Sequence, residues 1–168
     1  MICFVGDILG MAVIDNKVFI VFHNSSNIKV YDAVTFKQVS VITVEGLKDP
    51  HDIVVCHHDR QLYVADRECC IWRVSVDDHS YVKWLMTDDT LTVDTLSVTS
   101  RRILVTSSRP PILRQYNTVD SQLLSVIKLP QYAWSAYHAV ETTCGTFVVS
   151  HRGTSQDKWQ WAVSKLLS

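Results

Sequence analysis

Glycine is scarce in this chain, at 5 of 168 residues, and the motifs that depend on glycine are missing. The sequence has no phosphate-binding glycine loop, no dinucleotide fingerprint and no Gly-x-Ser-x-Gly turn. Such motifs use glycine because a backbone that closely approaches a ligand leaves no space for a side chain. These absences argue against the nucleotide-binding and serine hydrolase classes that carry those motifs.

The chain also lacks an excess of charge and any long hydrophobic run. Its 16 basic and 17 acidic residues leave a net charge of −1, so no overall attraction to nucleic acid or anionic membrane is expected. No apolar run approaches the roughly 20 residues that a membrane-spanning helix needs. The N-terminal segment has no basic residues and is interrupted by Asp7, which is a poor match to a signal peptide. We therefore expect no membrane partner.

Cysteine is too infrequent for a disulfide scaffold, and its pattern is not that of one. The five cysteines are an odd number without a Cys-x-x-Cys pair, namely Cys3, Cys56, Cys69, Cys70 and Cys144. Free thiols are typical of a reducing compartment. Together with the missing signal peptide, this predicts a soluble cytoplasmic protein.

The chain does contain a motif that returns at a nearly constant interval. Ile28–Asp32, Ile71–Ser75 and Leu113–Asn117 align with one another and begin 43 and 42 residues apart. A repeat of this length, filled with short apolar strands and no helical pattern, is typical of β-propeller blades. The runs 18–22, 62–65 and 103–105 are continuously apolar, as expected for strands covered on both faces.

The sequence thus predicts an all-β propeller of about four four-stranded blades, followed by a short tail. The expected blades span about 8–46, 47–88, 89–130 and an incomplete 131–150. The tail, 151–168, is predicted to be irregular or short helical, although Trp159, Trp161 and Val163 also fit strand spacing.

An incomplete fourth blade leaves apolar faces and an unpaired edge to be covered. Residues 2–5 could supply the missing strand and close a small four-bladed ring. Alternatively, the chain is a fragment of a larger, six-bladed propeller, which at this period needs about 260 residues. We favour the second interpretation, in which open blade edges also allow self-association.

One blade carries a family resemblance. Lys48–Val55, Gln61–Arg67 and Ile71–Val74 together resemble the NHL-repeat type of propeller. The resemblance covers residues 48–76, while the flanking repeats share mainly the strand spacing. It implies a platform for protein partners, although some NHL-like propellers bind RNA and one branch consists of zinc-dependent amidating lyases.

The lyase branch implies a metal alternative. Its zinc histidines lie in segments similar to those of His51 and His138, two repeats apart. Zinc normally takes three protein ligands in such an enzyme, and only two histidines match. We therefore expect no cofactor and keep zinc at His51 and His138 as the alternative.

Our main interpretation is a non-enzymatic binding module, a scaffold that presents loops to a protein or peptide. The loop end of the channel is predicted to carry the binding residues His51, Arg67, Glu68, Arg109 and His138. Arginine leads this set because it is favoured at interfaces. The second alternative is RNA binding, through a basic group with one aromatic residue: Arg101, Arg102, Arg109, Arg114 and Tyr116.

Overall fold

The computed structural model describes residues 6–67, 70–87, 91–99, 101–130, 135–152 and 161–166. All regular elements in these residues are β-strands, and no helix among them is both long and apolar enough to cross a membrane. The chain divides into two compact units, Met1–Met86 and Thr87–Ser168, each with two sheets. Each unit is described by itself below.

The first unit contains two four-stranded antiparallel sheets in which neighbours in sequence are neighbours in the sheet. The first sheet is β1 (Ile8–Ile14), β2 (Lys17–Phe22), β3 (Asn27–Asp32) and β4 (Gln38–Thr43). The second sheet is β5 (Pro50–Cys56), β6 (Gln61–Asp66), β7 (Cys70–Ser75) and β8 (Tyr81–Met86).

The second unit repeats this meander. Its third sheet is β9 (Thr95–Val98), β10 (Arg102–Ser108), β11 (Pro111–Asn117) and β12 (Leu123–Lys128). Its fourth sheet has three strands within the described residues: β13 (Ser135–Glu141), β14 (Phe147–Arg152) and β15 (Trp161–Leu166).

The observed strands can be compared with the predicted four-stranded blades and the predicted tail. The four-stranded meanders are confirmed for the first three sheets, and the second strands β2, β6 and β10 are buried along most of their length. The expectation of an irregular or short helical tail does not hold for residues 161–166, which form β15 and pair with β14. The proposed closure by residues 2–5 lies outside the described residues.

The turns explain why the sequence forms hairpins so readily. Asp15 and Asn16 connect β1 to β2 as a two-residue turn, and both have positive φ, at 48° and 58°. Asparagine and aspartate tolerate this backbone better than other residues with a side chain, and such turns match the twist of paired strands. Asp32 caps the turn between β3 and β4 by accepting hydrogen bonds from the Val34 and Thr35 amides.

The two sheets of the first unit share one core. Their facing apolar side chains are buried, namely Ala12, Ile14, Phe19, Val21, Ile28, Val30 and Ile42 from the first sheet and Ile53, Leu62, Val64, Cys70, Trp72 and Val74 from the second. β1 and β5 are the closest pair of strands between these sheets. Each sheet therefore supplies half of its neighbour's interior.

The second unit is built on the same principle. β13 packs against β9 and β10, so the first strand of the fourth sheet faces the third sheet. The shared core there consists of Leu104, Leu113, Leu129, Ala136, Ala139, Phe147 and Val149. Ser97 of β9 also donates a hydrogen bond to the carbonyl of Ala139 in β13 at 2.5 Å.

Three of the first strands carry a β-bulge near their starts. The register shifts between Ile8 and Gly10, between Pro50 and Asp52, and between Ala136 and His138. The extra residues are Leu9, His51 and Tyr137. A bulge bends its strand and redirects a side chain out of the regular alternation.

We call this end of each sheet, where the first strand begins, the bulge end, and the opposite end the hairpin end.

Candidate functional site

The bulge end of the first unit contains two of the predicted binding residues. His51 is the extra residue of the β5 bulge and is half-buried. Arg67 directly follows β6 and is exposed, while its amide donates to the carbonyl of Asp49 at 3.0 Å. Both residues therefore sit where loops leave the sheet. Glu68 lies outside the described residues.

A buried carboxyl group organises these loops. Asp66, at the end of β6, is 0% exposed. Its two oxygens accept hydrogen bonds from the amides of Lys48 and Asp49, at 3.1 and 3.2 Å, and from the Trp72 indole at 3.3 Å. The loop that leads into β5 is thereby fixed to the second sheet, which positions His51.

A histidine–carboxylate pair lies beside this loop. The His23 Nδ1 is 3.4 Å from Oδ1 of Asp49. The His23 side chain is half exposed, and that Asp49 oxygen is buried without a hydrogen-bond partner, so the two groups are close but do not form a hydrogen bond. The pair links the end of the first sheet to the loop that enters the second.

The bulge end of the second unit contains the other two predicted residues that are described. Arg109 follows β10 and is exposed, with its amide donating to the Ser107 hydroxyl at 3.2 Å. His138 follows the β13 bulge and is exposed. Asp94 lies inside this end at 5% exposure and accepts hydrogen bonds from the Ser108 amide and the Thr92 hydroxyl.

The zinc alternative depends on histidines that lie in different units. His51 belongs to the first unit and His138 to the second. Across the described parts of the chain, no three His, Cys, Asp or Glu side chains come together in a way that could hold a metal ion. Zinc at these two histidines stays a sequence prediction.

At the hairpin end of the first unit, Arg60 bridges the two sheets. Arg60 contacts Asp15 of the first sheet at 2.5 Å and forms three hydrogen bonds of 2.8–3.1 Å with Asp77. Hydrogen bonding to Arg60 lowers the pKa of Asp77, and hydrogen bonds to Asp77 and then Asp15 raise the pKa of Arg60. Because these side chains are exposed, we assign the bridge a positioning role and little stability.

The hairpin end of the second unit carries a polar cluster with a different arrangement. Glu141, at the end of β13, accepts a hydrogen bond from Arg102 at 3.4 Å and one from Gln115 at 3.2 Å. The Ser125 hydroxyl in turn donates a hydrogen bond to the side-chain oxygen Oε1 of Gln115 at 3.3 Å. Gln115 is only 5% exposed and the Glu141 side chain 14%, whereas the Arg102 side chain is 50% exposed.

This cluster lines a cavity of about 250 Å³ between the third and fourth sheets. Arg102, Gln115, Ser125 and Glu141 form its polar wall, and Ile127, Gly145 and Phe147 form the rest. A neighbouring groove shares Arg102 and Glu141 and continues along three threonines, Thr99, Thr142 and Thr143. The cavity is therefore continuous with a groove lined by polar side chains.

A free thiol lies next to this cavity. Cys144 occupies the β13–β14 turn and is exposed. A hydrogen bond with the Thr142 hydroxyl, and then one with Thr146, lower the pKa of the Cys144 thiol to about 7. Cys144 is thus more ionised near neutral pH than an ordinary cysteine.

Sequence reasoning missed this cluster. The sequence predicts Arg102 only as part of a basic group, and it predicts no role for Gln115 or Glu141. Their contacts join residues 26 and 39 positions apart, which no local motif marks. Of that basic group, Arg114 lies 3.5 Å from the Tyr116 hydroxyl on the same strand.

Comparison with known proteins finds a likeness of structure alone. No protein-family model matches the sequence, and no curated protein matches it. A solved structure of Kuenenia stuttgartiensis hydrazine synthase is similar with a TM-score of 0.73 at 13% identity, covering 89% of this chain and 45% of that one. The Cps50 (Swd1) β-propeller domain of Myceliophteria thermophila is similar with a TM-score of 0.67 at 10% identity, covering 94% and 58%.

A computationally designed protein, Ika4, gives a TM-score of 0.68 at 11% identity, covering 96% of this chain and 92% of that one. The chain thus spans less than two thirds of the hydrazine synthase and Cps50 chains. The meander sheets and this likeness show a β-propeller fold. At these identities the likeness says nothing about activity.

Proposed function

We propose that the chain is a non-enzymatic propeller binding module of the NHL-repeat type, which presents its bulge-end loops to a protein or peptide partner rich in acidic side chains. The NHL assignment is supported by the second sheet, because the three segments that resemble that repeat coincide with β5, β6 and β7. The binding role rests on the distribution of charge at the bulge end.

The observation that carries the proposal is that each unit buries one carboxyl group at this end, while neighbouring cations are exposed. In the first unit, buried Asp66 immediately precedes exposed Arg67. In the second unit, Asp94 is buried while Arg109 and Lys128 are exposed. The buried carboxyl groups accept hydrogen bonds from loop amides, so the loops that carry the exposed cations have a fixed backbone.

This arrangement favours binding of an acidic partner. Arginine offers several donors in a planar fork that matches a carboxylate, and it is over-represented among residues that dominate interfaces. Loops held by a rigid sheet lose little conformational freedom on binding, which preserves affinity. Attraction to an acidic partner also increases the association rate at low salt.

A selection experiment tests the proposal. A random-peptide phage library is panned against the full chain, and the affinities of the selected peptides are measured by fluorescence anisotropy. We expect enrichment in Asp and Glu, an affinity that decreases as salt is added, and a loss of about 10-fold in Arg109→Ala.

The matched control is Arg101→Ala, because Arg101 is also exposed but lies at the hairpin end of the same sheet. Its affinity for the selected peptides is expected to stay within about twofold of the parent. A selection that yields no peptide whose affinity depends on Arg67 or Arg109 contradicts the proposal.

A further inference from the structure

Two charged side chains line the cavity at the hairpin end of the second unit, and the cation, Arg102, is much more exposed than the anion, Glu141. Both carboxylate oxygens of Glu141 already accept hydrogen bonds, and its side chain is 14% exposed. Both polar atoms of the Gln115 side-chain amide are also engaged, since it donates to Glu141 and accepts from Ser125. A ligand that enters the cavity therefore meets the Arg102 guanidinium.

Arg102 has unused capacity for hydrogen bonding. A guanidinium carries five N–H donors. Within the part of the chain that the structure describes, one side-chain hydrogen bond is formed by Arg102, from Nη1 to Glu141, and at 3.4 Å it is long for a charged pair. Because the Arg102 side chain is 50% exposed, a better acceptor can reach the remaining donors.

The rest of the cavity is apolar and small. Ile127 and buried Phe147 form one side, and Gly145 contributes no side chain. A volume of about 250 Å³ lies just below the range of about 300–1,000 Å³ typical of pockets for drug-sized ligands. The apolar part of the space therefore suits one short apolar group.

We propose that this cavity binds a carboxylate attached to a single apolar group, with the carboxylate on Arg102 and the apolar group against Ile127 and Phe147. Glu141 accepts a hydrogen bond from the guanidinium and Gln115 donates one to Glu141, so both act as positioning residues. This site is separate from the bulge-end loops and does not rest on the proposed function.

Two sources provide this chemistry: a free branched-chain carboxylic acid and the C-terminal residue of a polypeptide. The experiment uses 4-methylpentanoate for the first and a tetrapeptide ending in leucine for the second. Each is titrated into the isotopically labelled full chain and followed by amide chemical shifts. The amide of each compound, which lacks the negative charge, is the matched control ligand.

We expect saturable shifts at the amides of Arg102, Gln115 and Phe147 with the carboxylates. Binding is expected to weaken at least about 10-fold with the amide ligands and in Arg102→Gln, because each removes a charge-assisted hydrogen bond. Arg102→Lys is expected to bind between these limits, since it keeps the charge but loses the fork. Whichever carboxylate binds more tightly identifies the source.

Arg101→Gln is the matched variant, because it removes a neighbouring exposed arginine that does not line the cavity. Its binding is expected to match the parent. An unchanged amide spectrum outside the cavity shows that each variant is folded. The proposal is overturned if neither carboxylate gives saturable shifts at these amides, if the amide ligands bind equally well, or if Arg102→Gln binds like Arg101→Gln.

Discussion

Asp66→Ala is expected to lower the free energy of unfolding by about 3 kcal/mol or more. The substitution removes the shared acceptor of two loop amides and the Trp72 indole, all at a residue that is 0% exposed. Donors left buried without a partner cost about 1–3 kcal/mol each, partly relieved when water enters. The loss also frees the loop that leads into β5.

Urea unfolding of the full chain, followed by tryptophan fluorescence and circular dichroism, measures this effect. Asp66→Asn keeps one acceptor oxygen and is expected to lose about half as much. Glu45→Ala removes an exposed carboxyl group from the preceding loop and is expected to change stability by less than about 0.5 kcal/mol. If Asp66→Ala behaves like Glu45→Ala, Asp66 does not organise this end.

Gly10→Ala is the second substitution with a large expected effect, a loss of about 2–3 kcal/mol. A Cβ at this position would lie 2.8 Å from the Ile53 amide nitrogen and 3.1 Å from the Cα of Asp52. These are backbone atoms of β5, which cannot rotate away as a flexible side chain could. β1 and β5 would have to separate.

The sign of this effect is diagnostic. In an ordinary strand, alanine is more stable than glycine by about 0.5–1 kcal/mol, so the same change would stabilise a chain in which β1 and β5 did not touch. Met11→Ala, one position further along β1 and 60% exposed, is the control and is expected to be nearly neutral. A stabilised or neutral Gly10→Ala protein, measured by urea unfolding, would refute the contact.

The sequence predicted the strands well because their signals are local. Apolar runs of three to five residues between Asp, Asn and Ser turns are sufficient to place β2, β6 and β10, and the repeat interval indicates how strands group into sheets. The tail was harder, since Trp161 and Val163 fit two periods at once. Pairing with β14 selects the strand for 161–166, and a pairing partner is not visible in a local pattern.

The candidate sites depend on contacts that the sequence does not mark. The bulge that displaces His51 arises from the register of β5 on β6, and the same holds for Tyr137 on β13. The Glu141 cluster joins four strands of two sheets, where each residue alone is an ordinary polar residue. Glu68 stays a prediction.

The central claim is that the sheets of one unit are each other's core, and native-state hydrogen exchange measures it most directly. In the parent chain we expect the amides of β2 and β6 to exchange through openings of the same free energy, because the buried side chains of both strands form one cluster. In Gly10→Ala both strands are expected to lose the same amount of protection. If β6 keeps its parental protection while β2 loses it, the two sheets are independent and the account is contradicted.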